Sequence, residues 1–171
     1  MSTINNRYLR AGFTIVEVLI VITVIGILAS IVIVSYNGIQ KKGYDTSVQS
    51  DLDSIAGLLE GSRVRSTPQE FPRTKAILDT LDIKATKSAY DTTVTYNMIY
   101  CIANSGANAY QEFLLVAKSK SGAIFAMTQD GFKANTYTQA NLTANFCSDQ
   151  GMGLVSNGMY AANTWQTWVQ N

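Results

Sequence analysis

The chain has 171 residues, with 13 basic and 12 acidic side chains, no histidine and a formal charge of +1. That length accommodates one ordinary globular domain plus an appended element. The even charge balance excludes a nucleic-acid-binding basic face, which the pair Lys41-Lys42 is too small to make, and the missing histidine removes the commonest general base and zinc ligand.

Met1 to Gly12 form a short polar segment whose charged side chains are Arg7 and Arg10. Its loss leaves 11 basic against 12 acidic residues, a formal charge of −1. The segment looks like the n-region of an export signal. The apolar run that follows, Phe13 to Val34, is longer than a usual h-region and lacks a small-x-small site ahead of a polar mature start. As a helix of about 22 residues it reaches about 33 Å, enough to cross a bilayer. Basic residues on both flanks leave only a weak preference for a cytoplasmic N-terminus.

Glu17 is the one charged residue in this run. A carboxylate among Ile, Leu and Val costs several kcal/mol unless something answers its charge. Nothing in the run offers it a partner. That points to a cation from another chain, or from a chain end created by processing at Gly12-Phe13. The bland alternative is a glutamate near the interface that simply reaches water.

Past Val34 the helix has no obvious stop, because Gly38 and Gly43 weaken it without ending it as proline would. Tyr44, Val48, Leu52, Ile55 and Leu59 then recur at spacings of three and four, one apolar stripe, while Lys42, Asp45, Gln49, Asp53 and Glu60 lie off it. A single helix from about Phe13 to about Gly61 would keep its first half for lipid or like helices and press its second half on the head. The region from Ser62 to Thr92 holds Pro68 and Pro72 and a short helical piece around Ala76 to Leu81. Strands are predicted from Val94 to Ile102, Tyr110 to Ala117 and Ala123 to Thr128, separated by turn residues and consistent with an antiparallel meander. The remainder, Gly131 to Asn171, is weakly patterned, with Trp165, Thr167 and Val169 on one face of a candidate last strand. The fold class is α+β, divided into a leader (1–12), a long helix (13–61) and a globular head (62–171).

No Gly-x-Ser-x-Gly elbow, phosphate-cradling Gly-x-x-x-x-Gly-Lys loop or Cys-x-x-Cys occurs. No catalytic residue, metal ligand set or cofactor is expected, although scattered carboxylates can meet in a fold without a motif. Cys101 and Cys147 are the two cysteines. An even, sparse count beyond a membrane segment suggests one disulfide formed in an oxidising compartment; two buried thiols are the alternative.

Gly12-Phe13-Thr14-Ile15-Val16-Glu17, after a short basic leader and ahead of an apolar helix running through Gly26-Ile27-Leu28-Ala29 and Ser35-Tyr36-Asn37, resembles the class III signal of the type IV pilin family. Beyond Asn37 the likeness is one of architecture. The resemblance implies that a prepilin peptidase cuts between Gly12 and Phe13 and methylates the amino group of Phe13, which becomes the first residue. Glycine before the cut lets a bare backbone enter a narrow intramembrane site, while the arginines hold the leader at the headgroups. Glu17 then meets the ammonium of a neighbouring chain, cancelling two buried charges and fixing the axial register.

The implied partners are the peptidase, identical or related pilin subunits in a helical filament, the cytoplasmic membrane before assembly, and the pilus assembly machinery. The implied location is a single-pass precursor in that membrane and then an extracellular filament serving adhesion, motility or DNA uptake. Cys101 and Cys147 would tie the C-terminal segment to the first strand of the head. This chain departs from the family pattern in one respect: Ile31-Val32-Ile33-Val34 stands where many members have a proline, so no proline kink is expected.

Weaker readings are an adhesive aromatic patch from Tyr160, Trp165 and Trp168, set against a role in the core; a glycosylation sequon at Asn141-Leu142-Thr143; and calcium ligation by Asp130 and Asp149. The alternatives to a pilin are a pseudopilin of a type II secretion-like system, and an uncleaved signal-anchored membrane protein with a ligand-binding head.

Overall fold

The computed structural model describes residues 12–133, 137–138, 142–161 and 164–170. Its elements are a long helix α1 (Ile15–Arg65), a short helix α2 (Lys75–Leu78), strands β1 (Met98–Ile102), β2 (Phe113–Lys118), β3 (Ile124–Thr128) and β4 (Gly131–Lys133), a short helix α3 (Phe146–Asp149), and strands β5 (Gly153–Asn157), β6 (Met159–Ala161) and β7 (Thr164–Trp165). The chain divides into two units between Ile39 and Gln40, and α1 contributes residues to both. This is the α+β architecture read from the sequence.

Helix α1 runs unbroken past Gly26, Gly38 and Gly43 and ends one turn beyond Gly61, as expected where glycines weaken a helix and no proline interrupts it. Glu17 lies in its first turn and Arg63 and Arg65 in its last, so the charges complement the helix dipole at both ends. Along the apolar half the hydroxyls are answered by the helix itself: Thr23 Oγ1 donates to the Ile20 carbonyl at 2.8 Å, Ser30 Oγ to Gly26 at 2.8 Å and Ser35 Oγ to Ile31 at 3.1 Å. Such back-bonding lets polar residues sit in an apolar run without unpaired donors.

In the second unit the predicted stripe is the helix's contribution to the core. Val48, Leu52, Ile55 and Leu59 are fully buried and Tyr44 packs beside them. Each contributes about 2 kcal/mol relative to exposure. They meet one face of a five-stranded antiparallel sheet of order β4-β3-β2-β1-β5, through Met98, Tyr100, Ile102, Phe113, Leu115, Ala117 and Met127. The three predicted strands form the centre of this sheet, with Met98 opposite Ala117 and Leu115 opposite Met127. Hydrogen bonds fix the helix to the loops around it: Asp51 accepts from the Thr86 N–H at 2.7 Å and the Tyr90 hydroxyl at 3.1 Å, and Asp45 accepts from Ser121.

The first strand begins at Met98 rather than Val94, because Asp91 closes a turn. It accepts from the Thr93 N–H at 2.9 Å and hydroxyl at 2.6 Å, and pairs with Lys118 at 2.7 Å. Burial would raise the Asp91 carboxyl, but the bonds from Lys118 and Thr93 outweigh it and hold the group below the usual carboxylate range.

The weakly patterned C-terminal region builds a second layer. Leu142, Phe146 and Cys147 cover the other face of the sheet, packing on Ile99, Cys101, Leu114, Val116, Ile124 and Ala126. The Cys101–Cys147 disulfide joins that layer to β1. Of the candidate adhesive aromatics, Trp168 is in the core, its indole N–H donating to Ser156 Oγ at 2.9 Å, and Trp165 is half-buried, edge-on to Tyr90. The Tyr160 side chain lies outside the described residues. The candidate last strand is shorter than expected, only Thr164–Trp165, while Val169 turns into the core and Gln170 exchanges backbone bonds with Ile83 and Ala85. At Gly158 an added Cβ would lie 2.8 Å from the Met98 Cβ, so a residue without a side chain is required where the chain passes β1.

Leu52→Ala removes a fully buried side chain between helix and sheet and should destabilise the head by about 2–5 kcal/mol, read from denaturant unfolding of the chain in mild detergent. Replacing both Cys101 and Cys147 with serine should cost about 4 kcal/mol in the chain-entropy picture, with reduction of the wild type lowering the same midpoint.

Candidate functional site

The apolar half of α1 is the outstanding surface. From Ile15 to Ile39 every described Ile, Leu and Val is exposed, from 49% at Val24 to 81% at Ile15. Among the described residues α1 is the one helix long and apolar enough to cross a membrane. A polypeptide does not leave such a surface in water, since each side chain forgoes about 1.5–3 kcal/mol of burial. Lipid or other helices must cover it.

Gly12, Phe13 and Thr14 precede the helix in non-helical conformation, and Phe13 is 90% exposed. The Gly12-Phe13 junction is therefore exposed backbone outside the helix. The leader residues Met1 to Ala11, including Arg7 and Arg10, lie outside the described residues.

Glu17 has nearer partners than the sequence reading allowed. Its Oε2 accepts from the Thr14 N–H at 2.8 Å and from the Thr14 hydroxyl at 2.7 Å, and its own N–H donates to Thr14 Oγ1 at 3.2 Å. This is a reciprocal capping box, which satisfies two amide groups that the helix start leaves unpaired. The claim that nothing in the run answers the carboxylate is thus corrected: Thr14 supplies hydrogen bonds, though no opposite charge. The signal was present as Thr14-x-x-Glu17, the spacing that places a hydroxyl and a carboxylate over one turn.

The remaining singled-out residues do not converge on chemistry. Asp130 is exposed on the turn after β3 and Asp149 is exposed at the end of α3, and among the described residues no group of three or more cysteines, aspartates or glutamates stands where it could hold a metal. Asn141 lies outside the described residues. Lys41 and Lys42 are exposed on α1.

Residues 7–33 match the family model described as the prokaryotic N-terminal methylation motif. Over 128 residues the chain is 30% identical to the type IV wide pilus major component PilA4 of Thermus thermophilus, an alignment covering 73% of this chain and 88% of that protein. No solved structure matches the chain significantly.

Proposed function

Because the chain belongs to the type IV pilin family, we propose that it is a filament-building pilus subunit, made as a membrane precursor, cut between Gly12 and Phe13 by prepilin peptidase, and N-methylated on Phe13. The observation that carries this reading is the conjunction at the helix start. An accessible Gly-Phe junction stands two residues ahead of a helix whose apolar half is exposed throughout and whose first turn holds a single carboxylate.

Each part has a physical role. Before assembly, the bilayer of the cytoplasmic membrane covers the apolar half, as a span of this length permits. On extraction by the assembly machinery, only like helices can replace lipid as an apolar neighbour, so identical or related subunits bundle through α1. Removal of the leader leaves an ammonium at Phe13. The Glu17 carboxylate of a neighbouring subunit cancels it in a medium where either charge alone is costly, which selects one axial register over others. The head, folded around its own core, is carried to the filament surface. The sequence similarity to a major component of a wide pilus supports a subunit of the main shaft. No catalytic step belongs to the chain itself in this account.

Mass spectrometry of the N-terminal peptide from sheared fibres tests it. The result expected is N-methyl-Phe13; an intact Met1 or Ser2 terminus would remove the filament assignment. Gly12 replaced by a bulky residue should leave full-length precursor in the membrane. Glu17→Ala should be processed normally and yield few fibres, and normal fibre length and number in that variant would refute the register role.

A further inference from the structure

At one end of the sheet the β1–β2 loop, the β3–β4 turn and the segment between α3 and β5 border a cavity of about 750 Å³. Asn108, Glu112, Gln129, Asp130, Phe132 and Gln150 line it. Asn108 Nδ2 donates to Glu112 Oε1 at 2.6 Å and Gln129 Nε2 donates to Asp130 Oδ2 at 3.2 Å, so each acid is paired with an amide. Among the described residues the second oxygen of each acid, Glu112 Oε2 and Asp130 Oδ1, accepts no hydrogen bond. Gln150 Oε1 accepts from the Tyr137 hydroxyl at 3.2 Å, which leaves its Nε2 as a further donor. Phe132 is 52% exposed. We propose that this cavity is a binding site for a neutral glycan, taking the hydroxyls of a pyranose ring on the two amide–acid pairs and the C–H face of that ring on Phe132.

A sugar hydroxyl donates and accepts at once, and a carboxylate oxygen beside an amide N–H answers both halves. Other ligand classes fit the lining less well. An anion would meet Glu112 and Asp130 with Lys133 as the one cation among the described lining residues, a net repulsion. A bare metal ion would lack ligands, since among the described residues no group of three acids or cysteines gathers. A wholly apolar molecule would strip water from the pairs and return no hydrogen bond. A phenyl ring half out of water gains by being covered, and a pyranose carries an apolar face as well as a rim of hydroxyls that reach the pairs. The frame is set before any ligand arrives. The Ala103 N–H donates to the Glu112 carbonyl at 3.0 Å, the Tyr110 N–H to the Ala103 carbonyl at 2.6 Å, the Phe113 N–H to Gln129 Oε1 at 3.3 Å and the Met152 N–H to the Cys147 carbonyl at 2.8 Å. Loops held in this way lose little freedom on binding. The site lies wholly within the head, so it stands whether the chain is in a membrane or in a filament. On a fibre it would recur once per subunit, and weak single contacts would add.

The test applies the full chain, in a detergent without a sugar headgroup, to immobilised neutral oligosaccharides of glucose, galactose, mannose and N-acetylglucosamine, with sialylated and sulfated glycans beside them. At least one neutral series should retain the chain, and the charged glycans should not. Phe132→Ala and Glu112→Gln should each weaken that retention by roughly tenfold, the first through lost ring surface and the second through a lost charge-assisted hydrogen bond. Neither side chain is in the core, so the unfolding midpoint of the head should stay at the wild-type value. Leu154, 47% exposed and outside the cavity, serves as the control, and Leu154→Ala should bind as wild type. Titrating the wild-type chain with the retained oligosaccharide in free form should shift the side-chain amide NMR signals of Asn108, Gln129 and Gln150, a readout that needs no variant. Retention on no neutral glycan overturns the proposal, as does equal or stronger retention on the charged ones. Undiminished binding by folded Phe132→Ala and Glu112→Gln chains overturns it too, as do amide signals that stay in place or a loss with Leu154→Ala as large as with Phe132→Ala.

Discussion

A helix whose first half is apolar on every face, with one carboxylate in its first turn, is at odds with water along that half and with hydrocarbon at one point. In the proposed filament both conflicts would end together, the helix lying among copies of itself with the acid of one chain set against the amine of the next. The side chains from Ile15 to Ile39 then find neighbours as apolar as lipid but fixed in place, and packing among such helices gains from close fit more than from water exclusion. The ion pair adds little net energy, because two desolvated charges recover roughly what they lose. What it adds is a penalty on every register that leaves the acid unanswered.

The same element changes character partway along. In its second half four fully buried residues on one face replace an apolar surface on all faces, and the helix becomes part of an ordinary core. The sheet it packs on is covered on both sides, by α1 on one and by the segment around α3 on the other, which is why the central strands β1 and β2 are buried at nearly every position. The second cover has little regular structure, and the Cys101–Cys147 bond joins it to the middle of the sheet. A small head with such a cover gains most from a cross-link, since a long loop is removed from the unfolded ensemble.

The parts with a strong period were legible in the sequence. The stripe from Tyr44 to Leu59 repeats at helical spacing and is the face that packs, and the runs at Met98, Phe113 and Ile124 are apolar enough and long enough to read as strands. Three further strands, β4, β5 and β6, carry no such signal. They are short, three to five residues, too brief to establish an alternation, and their pairing depends on tertiary neighbours. The second cover of the sheet was hidden for the same reason. It rests on Leu142, Phe146 and Cys147 scattered through a stretch without periodicity. The start of β1 was misplaced because alternation continues through Thr92 to Asn97, where the Asp91 turn holds the backbone away from the ladder. At the helix start, Gly12, Phe13 and Glu17 stood out by residue type, whereas Thr14 was passed over. A threonine ahead of a helix is common, and its meaning depends on the acid three positions later.

The proposed inter-chain ion pair is most directly tested in fibres grown from two pools, one with ¹⁵N at the Phe13 amine and the other with ¹³C at the Glu17 carboxyl, mixed before assembly. Solid-state NMR of the mixed fibres should show dipolar contact between the two labels, corresponding to a separation of about 4 Å, which only a pair between different chains can produce. Well-formed mixed fibres in which the Phe13 nitrogen shows no contact with a labelled Glu17 carboxyl would contradict the account.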